Sequence, residues 1–150
     1  MMRACAVVPT MNEDIKLSYT VPGDDFTRAG EASAHCKATL KKLGVDPAAI
    51  RRVAIALYEG EINLAIHAGG GNIDVTIGDE AVTMHLYDKG PGIPDIPLAM
   101  SEGYSTAPDE IRSLGFGAGM GLPNMKKYAD TFEISSVVGE GTDIIMTVNI

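Results

Sequence analysis

"RRVAIALYEGEINLAIHAGGG", residues 51–71, is an apolar, helix-like run in which a glutamate, an asparagine and a histidine recur at every fourth position. Glu59, Asn63 and His67 stand at i, i+4 and i+8, so at 100° per residue they sweep about 80° of a helix surface. Val53, Ile55, Leu57, Ile62 and Ile66 surround them and are the side chains expected to reach a core, which puts the polar row at the margin of a buried face. A carboxylate and an amide in that position need partners. One reading is a solvated edge with an Asn–Glu side-chain bond. The other gives Asn63 to a hard cation and makes Glu59 a base for a nearby hydroxyl or water. His67 reads as a cap of the helix end or as a phosphate ligand, with the cap the simpler choice. Glu61, turned about 200° from Glu59, reads as an ordinary surface charge.

The rest of the chain places this helix in an α+β domain. Asp46 and Pro47 supply an N-cap and a first helical residue, and "AGGG" ends the helix near His67. Residues 1–13 read as an N-terminal arm and 14–150 as one domain, with a strand over 14–21 and a helix over 25–43. After the central helix come strands at 72–78 and 81–88, joined by Asp79 and Glu80, then a Pro- and Gly-rich stretch with a short helix near 96–100. A helix over 120–130 and a hairpin around "GEGT", residues 139–142, close the chain. This order predicts a two-layer sandwich in which helices cover one face of a mixed, mainly antiparallel sheet.

Composition narrows the function. With 12 basic and 20 acidic residues the formal charge is −8, which argues against a nucleic-acid partner. No run approaches a membrane span and the opening residues lack signal-peptide character, so a cytoplasmic protein is expected. Cys5 and Cys36 have neither zinc-ribbon nor disulfide-framework spacing. Of 17 glycines, seven fall between Gly90 and Gly121. "GFGAGMGLPNM", residues 115–125, fits neither a P-loop nor a dinucleotide fingerprint, yet glycine-rich backbone entering a helix presents free N–H groups to an anion. In "DKGPGIPD" Asp88 ends a strand, and the glycines after it allow either a turn or the close approach of a flat ligand.

The order of these segments resembles a known fold. Glu-x-x-x-Asn on a helix, Asp-x-Gly-x-Gly after a strand, a glycine loop leading into a helix, and Gly-x-Gly-Thr before the last strand are similar to the Bergerat ATP-binding fold of histidine kinases, Hsp90, MutL and type II topoisomerases. "IKLSYTVPGDDF", the helix pair "LGVDPAAIRRVAIALYEGEINLAIHAG" and the segment "EGYSTAPDEIRS" look most like the anti-sigma-factor serine kinases. The resemblance implies ATP and Mg²⁺ as cofactors, Asn63 as the metal ligand and Glu59 as catalytic base. It places Asp88 on the adenine amine, Gly90 and Gly92 around the adenine, and Gly119 and Gly121 along the phosphates, with His67, Ile93, Met120 and Leu122 completing the cofactor-binding set. Thr142 would support the adenine edge.

The implied activity is phosphorylation of a serine on a small antagonist protein, whose unphosphorylated form competes with a sigma factor or another regulatory protein for this chain. Homodimerisation is also implied. The lid departs from the family's pattern, with "LGFGA" lengthening the glycine loop and few cations, and this favours an alternative, a non-catalytic ATP-sensing switch that binds proteins. Ile62 and Leu64 flank Asn63 where the family has Thr and Ala, and Arg112 is the sole cation between Lys89 and Lys126 in and around the expected lid, residues 95–118.

Overall fold

The computed structural model describes residues 14–23, 28–101 and 121–150. The expected arm at 1–13, most of the expected lid, Gly119 and Met120 lie outside the described residues. Among the described residues five strands are present: β1 (Ile15–Pro22), β2 (Gly70–Ile77), β3 (Ala81–Tyr87), β4 (Thr131–Val137) and β5 (Gly141–Asn149). The helices are α1 (Glu31–Lys42), α2 (Pro47–His67), the single turn α3 (Ile96–Ala99) and α4 (Gly121–Tyr128).

The strands form one sheet in the order β1-β2-β3-β5-β4, and each neighbouring pair is antiparallel. The expected mixed sheet is corrected on this point: the described residues contain no parallel pair. A parallel pair needs a crossover between adjacent strands. Here the crossover from β3 lands one place further out, at β4, and the β4–β5 hairpin returns to fill the gap. β2 also begins at Gly70, two residues before the expected start, because β1 extends far enough to pair Val21 with Gly71 and Pro22 with Gly70.

Period-two alternation sends Ile73, Val75 and Ile77, Val82, Met84 and Leu86, and Ile144, Met146 and Val148 to the same face, all buried. Leu40 of α1, Val53 and Leu57 of α2, and Met125 of α4 join them in one core. Burying each such side chain contributes roughly 1.5–3 kcal/mol. The opposite face carries polar pairs instead: Ser18 and Tyr87 both donate to Asp74, at 2.9 and 3.0 Å, and His85 pairs with Asp143 at 2.8 Å.

The central helix α2 is fixed at its start and along its length. Asp46 Oδ2 accepts from the N–H groups of Ala48 and Ala49, at 3.2 and 3.4 Å, so two of the first-turn donors have a partner. Gly60 sets how close α2 comes to the sheet: a Cβ built there would lie 2.3 Å from Leu86 Cδ2 and 3.4 Å from Met125 Sδ. A side chain at this position would require the Leu86 tip to repack, while Met125 would stand at ordinary van der Waals distance. Arg52 reaches across to hold α4 at its far end, donating from Nε to the Tyr128 carbonyl at 3.2 Å and pairing with Asp130 at 2.8 Å.

The reading of Glu61 as a surface charge is overturned. Glu61 is 2% exposed, and its two carboxylate oxygens accept the N–H groups of Ala32 at 3.0 Å and Ser33 at 3.1 Å. The residue preceding α1 is Gly30, which has no side chain to cap the helix. Glu61 therefore supplies from α2 the anion that the N-terminus of α1 lacks. The helical angle away from Glu59 holds; the surface it points at is covered by α1 and not by water.

Candidate functional site

Glu59 and Asn63 are both half-buried on α2, as the apolar setting of the row predicts. Glu59 is held by a residue from another helix: Asn124 of α4 donates from Nδ2 to Glu59 Oε2 at 2.7 Å. A carboxylate accepts only, so the amide must present its N–H side to it. His67 ends the helix, and burial pushes its pKa below the ordinary histidine value by penalising the charged ring.

The second half of the site is the segment after β3. Asp88 is half-buried, and its Oδ1 accepts the N–H of Gly90 at 2.8 Å, which closes a tight turn. Gly90 and Gly92 have reasons within the protein to lack side chains. A Cβ at Gly90 would lie 2.7 Å from the Ala68 carbonyl oxygen. Gly92 has φ +79°, and a Cβ there would meet the Val137 carbonyl oxygen at 2.5 Å. The loop is thus pressed between the end of α2 and the β4–β5 turn, where Gly139 donates to the Pro91 carbonyl at 2.8 Å.

Ser136 ties this wall together. Its Oγ accepts the N–H of Ile93 at 2.7 Å, donates to the Gly141 carbonyl at 3.1 Å, and lies 2.8 Å from Thr142 Oγ1. Thr142 is buried, and its carbonyl accepts the N–H of Asp88 at 3.1 Å. Asp88, Gly90, Gly92, Ile93 and Thr142 are therefore one connected unit. That unit meets the C-terminal end of the Glu59–Asn63–His67 helix at Ala68, the residue after His67, so both halves of the expected site share one end of the domain.

The remaining expected residues divide. Gly121 opens α4, and a Cβ built on it would meet no described residue within 4 Å. Leu122 is buried in the core, so its side chain faces the sheet and only its backbone is available to a ligand. Among the described residues no group of three or more His, Cys, Asp or Glu is arranged to hold a metal ion. Mg²⁺ asks for only one or two protein oxygens when phosphates and water supply the rest, and the half-buried Asn63 amide carries one oxygen of that kind. A groove of about 440 Å³ opens between α1 and α2, lined by Ser33, Ala34, Lys37, Ala54 and Tyr58, with Glu59 also in its wall.

Three residues escaped the sequence reading: Glu61, Asn124 and Ser136. Asn124 and Ser136 act through partners remote in sequence. Only Ser136 left a signal, its place in phase with the inward-facing Phe132 and Ile134 and opposite Thr142.

A helix row of carboxylate and amide, meeting a glycine turn behind a strand-end aspartate on a helix-covered antiparallel sheet, defines a class of nucleotide-binding domain. The family model described as histidine kinase-like ATPase domain matches residues 24–148, and the chain belongs to that family. It is 36% identical over 108 residues to the serine/threonine-protein kinase RsbT of Bacillus subtilis, covering 69% of this chain and 75% of that protein. It is also 34% identical over 103 residues to the anti-sigma F factor of Clostridium beijerinckii, covering 65% of this chain and 68% of the relative. The anti-sigma F factor of Clostridium acetobutylicum is 35% identical over 99 residues, covering 63% and 66%.

Proposed function

We propose that this chain is an ATP-dependent protein serine kinase of the anti-sigma type. The observation that carries the reading is the meeting of two units at one end of the domain: the Glu59–Asn63 row on α2, and the Asp88–Ile93 turn cross-linked to Thr142. Asp88 accepts the adenine amine, with Gly90, Gly92, Ile93 and Thr142 forming the wall behind the base. Asn63 holds Mg²⁺, and His67 with the backbone at Gly119, Met120, Gly121 and Leu122 borders the phosphates. ATP supplies the transferable phosphoryl group, with Mg²⁺ neutralising its oxygens.

Glu59 takes the proton of an acceptor serine hydroxyl. The serine oxygen bonds to the γ-phosphorus as the bond to the β,γ-bridging oxygen breaks, and ADP leaves with that electron pair. Oε2 is held by Asn124, while Oε1 has no partner among the described residues and is the atom that receives the proton. The groove between α1 and α2 lets a protein segment reach Glu59 from the side. A regulatory cycle in the cytoplasm is part of the proposal, one in which an unphosphorylated small antagonist protein and a sigma factor or other regulatory protein compete for this chain. The relatives' names, a serine/threonine-protein kinase and an anti-sigma F factor, support its kinase and sigma-factor parts. Self-association as a homodimer belongs to the same proposal. No described helix is long and apolar enough to cross a membrane.

A specific observation favours a second reading, an ATP-sensing switch without turnover: Arg112 is the sole cation between Lys89 and Lys126, and phosphoryl transfer depends on charge neutralisation. One experiment separates the two. The purified chain is incubated with Mg-ATP labelled on the γ-phosphate and with a serine-bearing protein recovered from its own complex. Stoichiometric label on serine is the expected result. Heat of Mg-ATP binding without transfer selects the switch, and the absence of binding heat sinks both readings.

A further inference from the structure

We propose that Asn124 is a positioning residue for Glu59: its amide, delivered by α4, fixes which carboxylate oxygen of the base is presented for proton transfer. The inference rests on the kinase reading of the site and adds a residue to it. Three observations carry it. Asn124 Nδ2 lies 2.7 Å from Glu59 Oε2, the length of a charge-assisted hydrogen bond. Both side chains are half-buried, so the bond is less weakened by water than a surface pair. The two helices are locked against each other on either side of this pair, by Met125 beside Gly60 and by Arg52 on the Tyr128 carbonyl and Asp130. The amide is thus delivered by a fixed frame and not by a loose surface chain.

A glutamate has three side-chain torsions, and a base must stay within hydrogen-bond reach of the proton it abstracts. Holding Oε2 leaves rotation about the terminal torsion restricted and directs Oε1 away from α4. Donation is what the role requires, and shape alone does not supply it. The change Asn124→Asp preserves the size of the native side chain but places a second acceptor against Glu59. The change Asn124→Gln retains the donor with one more methylene of reach.

The test uses the full chain, with water as the phosphoryl acceptor and release of inorganic phosphate from Mg-ATP as the readout, alongside calorimetric Mg-ATP affinity. Asn124→Asp is expected to lower kcat about 100-fold, with KM and Mg-ATP affinity within about threefold of the parent. Asn124→Gln should recover kcat to within about fivefold of the parent. In a Glu59→Gln background, adding Asn124→Asp should cost less than about a further twofold, because the two residues act as one unit.

A merely structural role would lower thermal stability and ATP affinity together in both Asn124 variants, and that result overturns the proposal. So does equal loss in the two variants, or full additivity with Glu59→Gln. A parent that binds Mg-ATP and releases phosphate, combined with an Asn124→Asp variant that does the same within about twofold, sinks the positioning role and leaves the kinase reading standing. A parent with neither binding nor release sinks both.

Discussion

On α2, Glu59 and Glu61 are separated by one glycine and by about 200° of helix, and the two carboxylates face different parts of the molecule. Glu59 lies at the margin between α4 and the α1–α2 groove, half-buried and bonded by a side-chain amide. Glu61 lies under α1, sealed from water and bonded by two backbone amides. A side-chain partner can be exchanged or moved during a reaction, whereas two backbone donors at a helix start cannot leave without unwinding the helix. One helix thereby carries a face whose carboxylate has an exchangeable partner and a face whose carboxylate is fixed in the architecture. The local pattern Glu-Gly-Glu holds no hint of which is which.

The comparison makes predictions that can break it. Glu59→Ala should lower phosphoryl transfer by about 10³-fold, within the range for loss of a general base, while the melting temperature stays within about 2 °C of the parent. A large fall in stability without loss of transfer would reverse the assignment of the two faces. Glu61→Ala should do the opposite, costing about 3 kcal/mol of stability because it strands two buried N–H donors, while any folded fraction keeps its Mg-ATP affinity. Chemical denaturation with calorimetry on the same samples reads both quantities.

Two smaller effects sharpen it. Ser136→Ala removes the tie between Ile93, Gly141 and Thr142, and should weaken Mg-ATP binding by about 1 kcal/mol, roughly fivefold, with kcat within about twofold. A change confined to kcat would move Ser136 to the phosphate end of the site. For His67, burial holds the folded pKa below the unfolded value of about 6.5. Below that pH the unfolded chain takes up a proton that the native ring resists, so this contribution to stability falls as pH drops from about 6.5 towards the folded pKa, and is constant above. The slope cannot exceed about 1.4 kcal/mol per pH unit. Urea denaturation at about pH 7 and about pH 5.5 should show a smaller acid loss in His67→Gln than in the parent, and an equal loss in both would contradict the burial effect.

What the sequence disclosed follows from the range over which each signal acts. Asp46, Pro47 and the glycines after His67 are local punctuation, and α2 begins and ends where they place it. Period-two alternation likewise located β2 and β3 to within two residues. The α2 row, Asp88 and Thr142 were expected to act together because their motifs keep a fixed order along the chain, and the fold joins Asp88 to Thr142 beside the end of α2. Asn124 and Ser136 were not, because a partner 65 residues away for one and 43 for the other is decided by tertiary packing. Gly90 and Gly92 were legible as a cluster but not in their cause. Backbone contacts with Ala68 and Val137 already exclude side chains there, before any ligand is considered.

The bond from Glu61 to the start of α1 also bears on the order in which the domain assembles. Isolated helices as short as α1 are marginal in water, and α1 enters with a glycine in place of a capping side chain. α1 is therefore expected to become stable only with α2 in place and its Glu61 carboxylate alongside. The amide protons of Ala32 and Ser33 then exchange with solvent only when that inter-helix contact opens, which makes them reporters of α1 undocking as a unit.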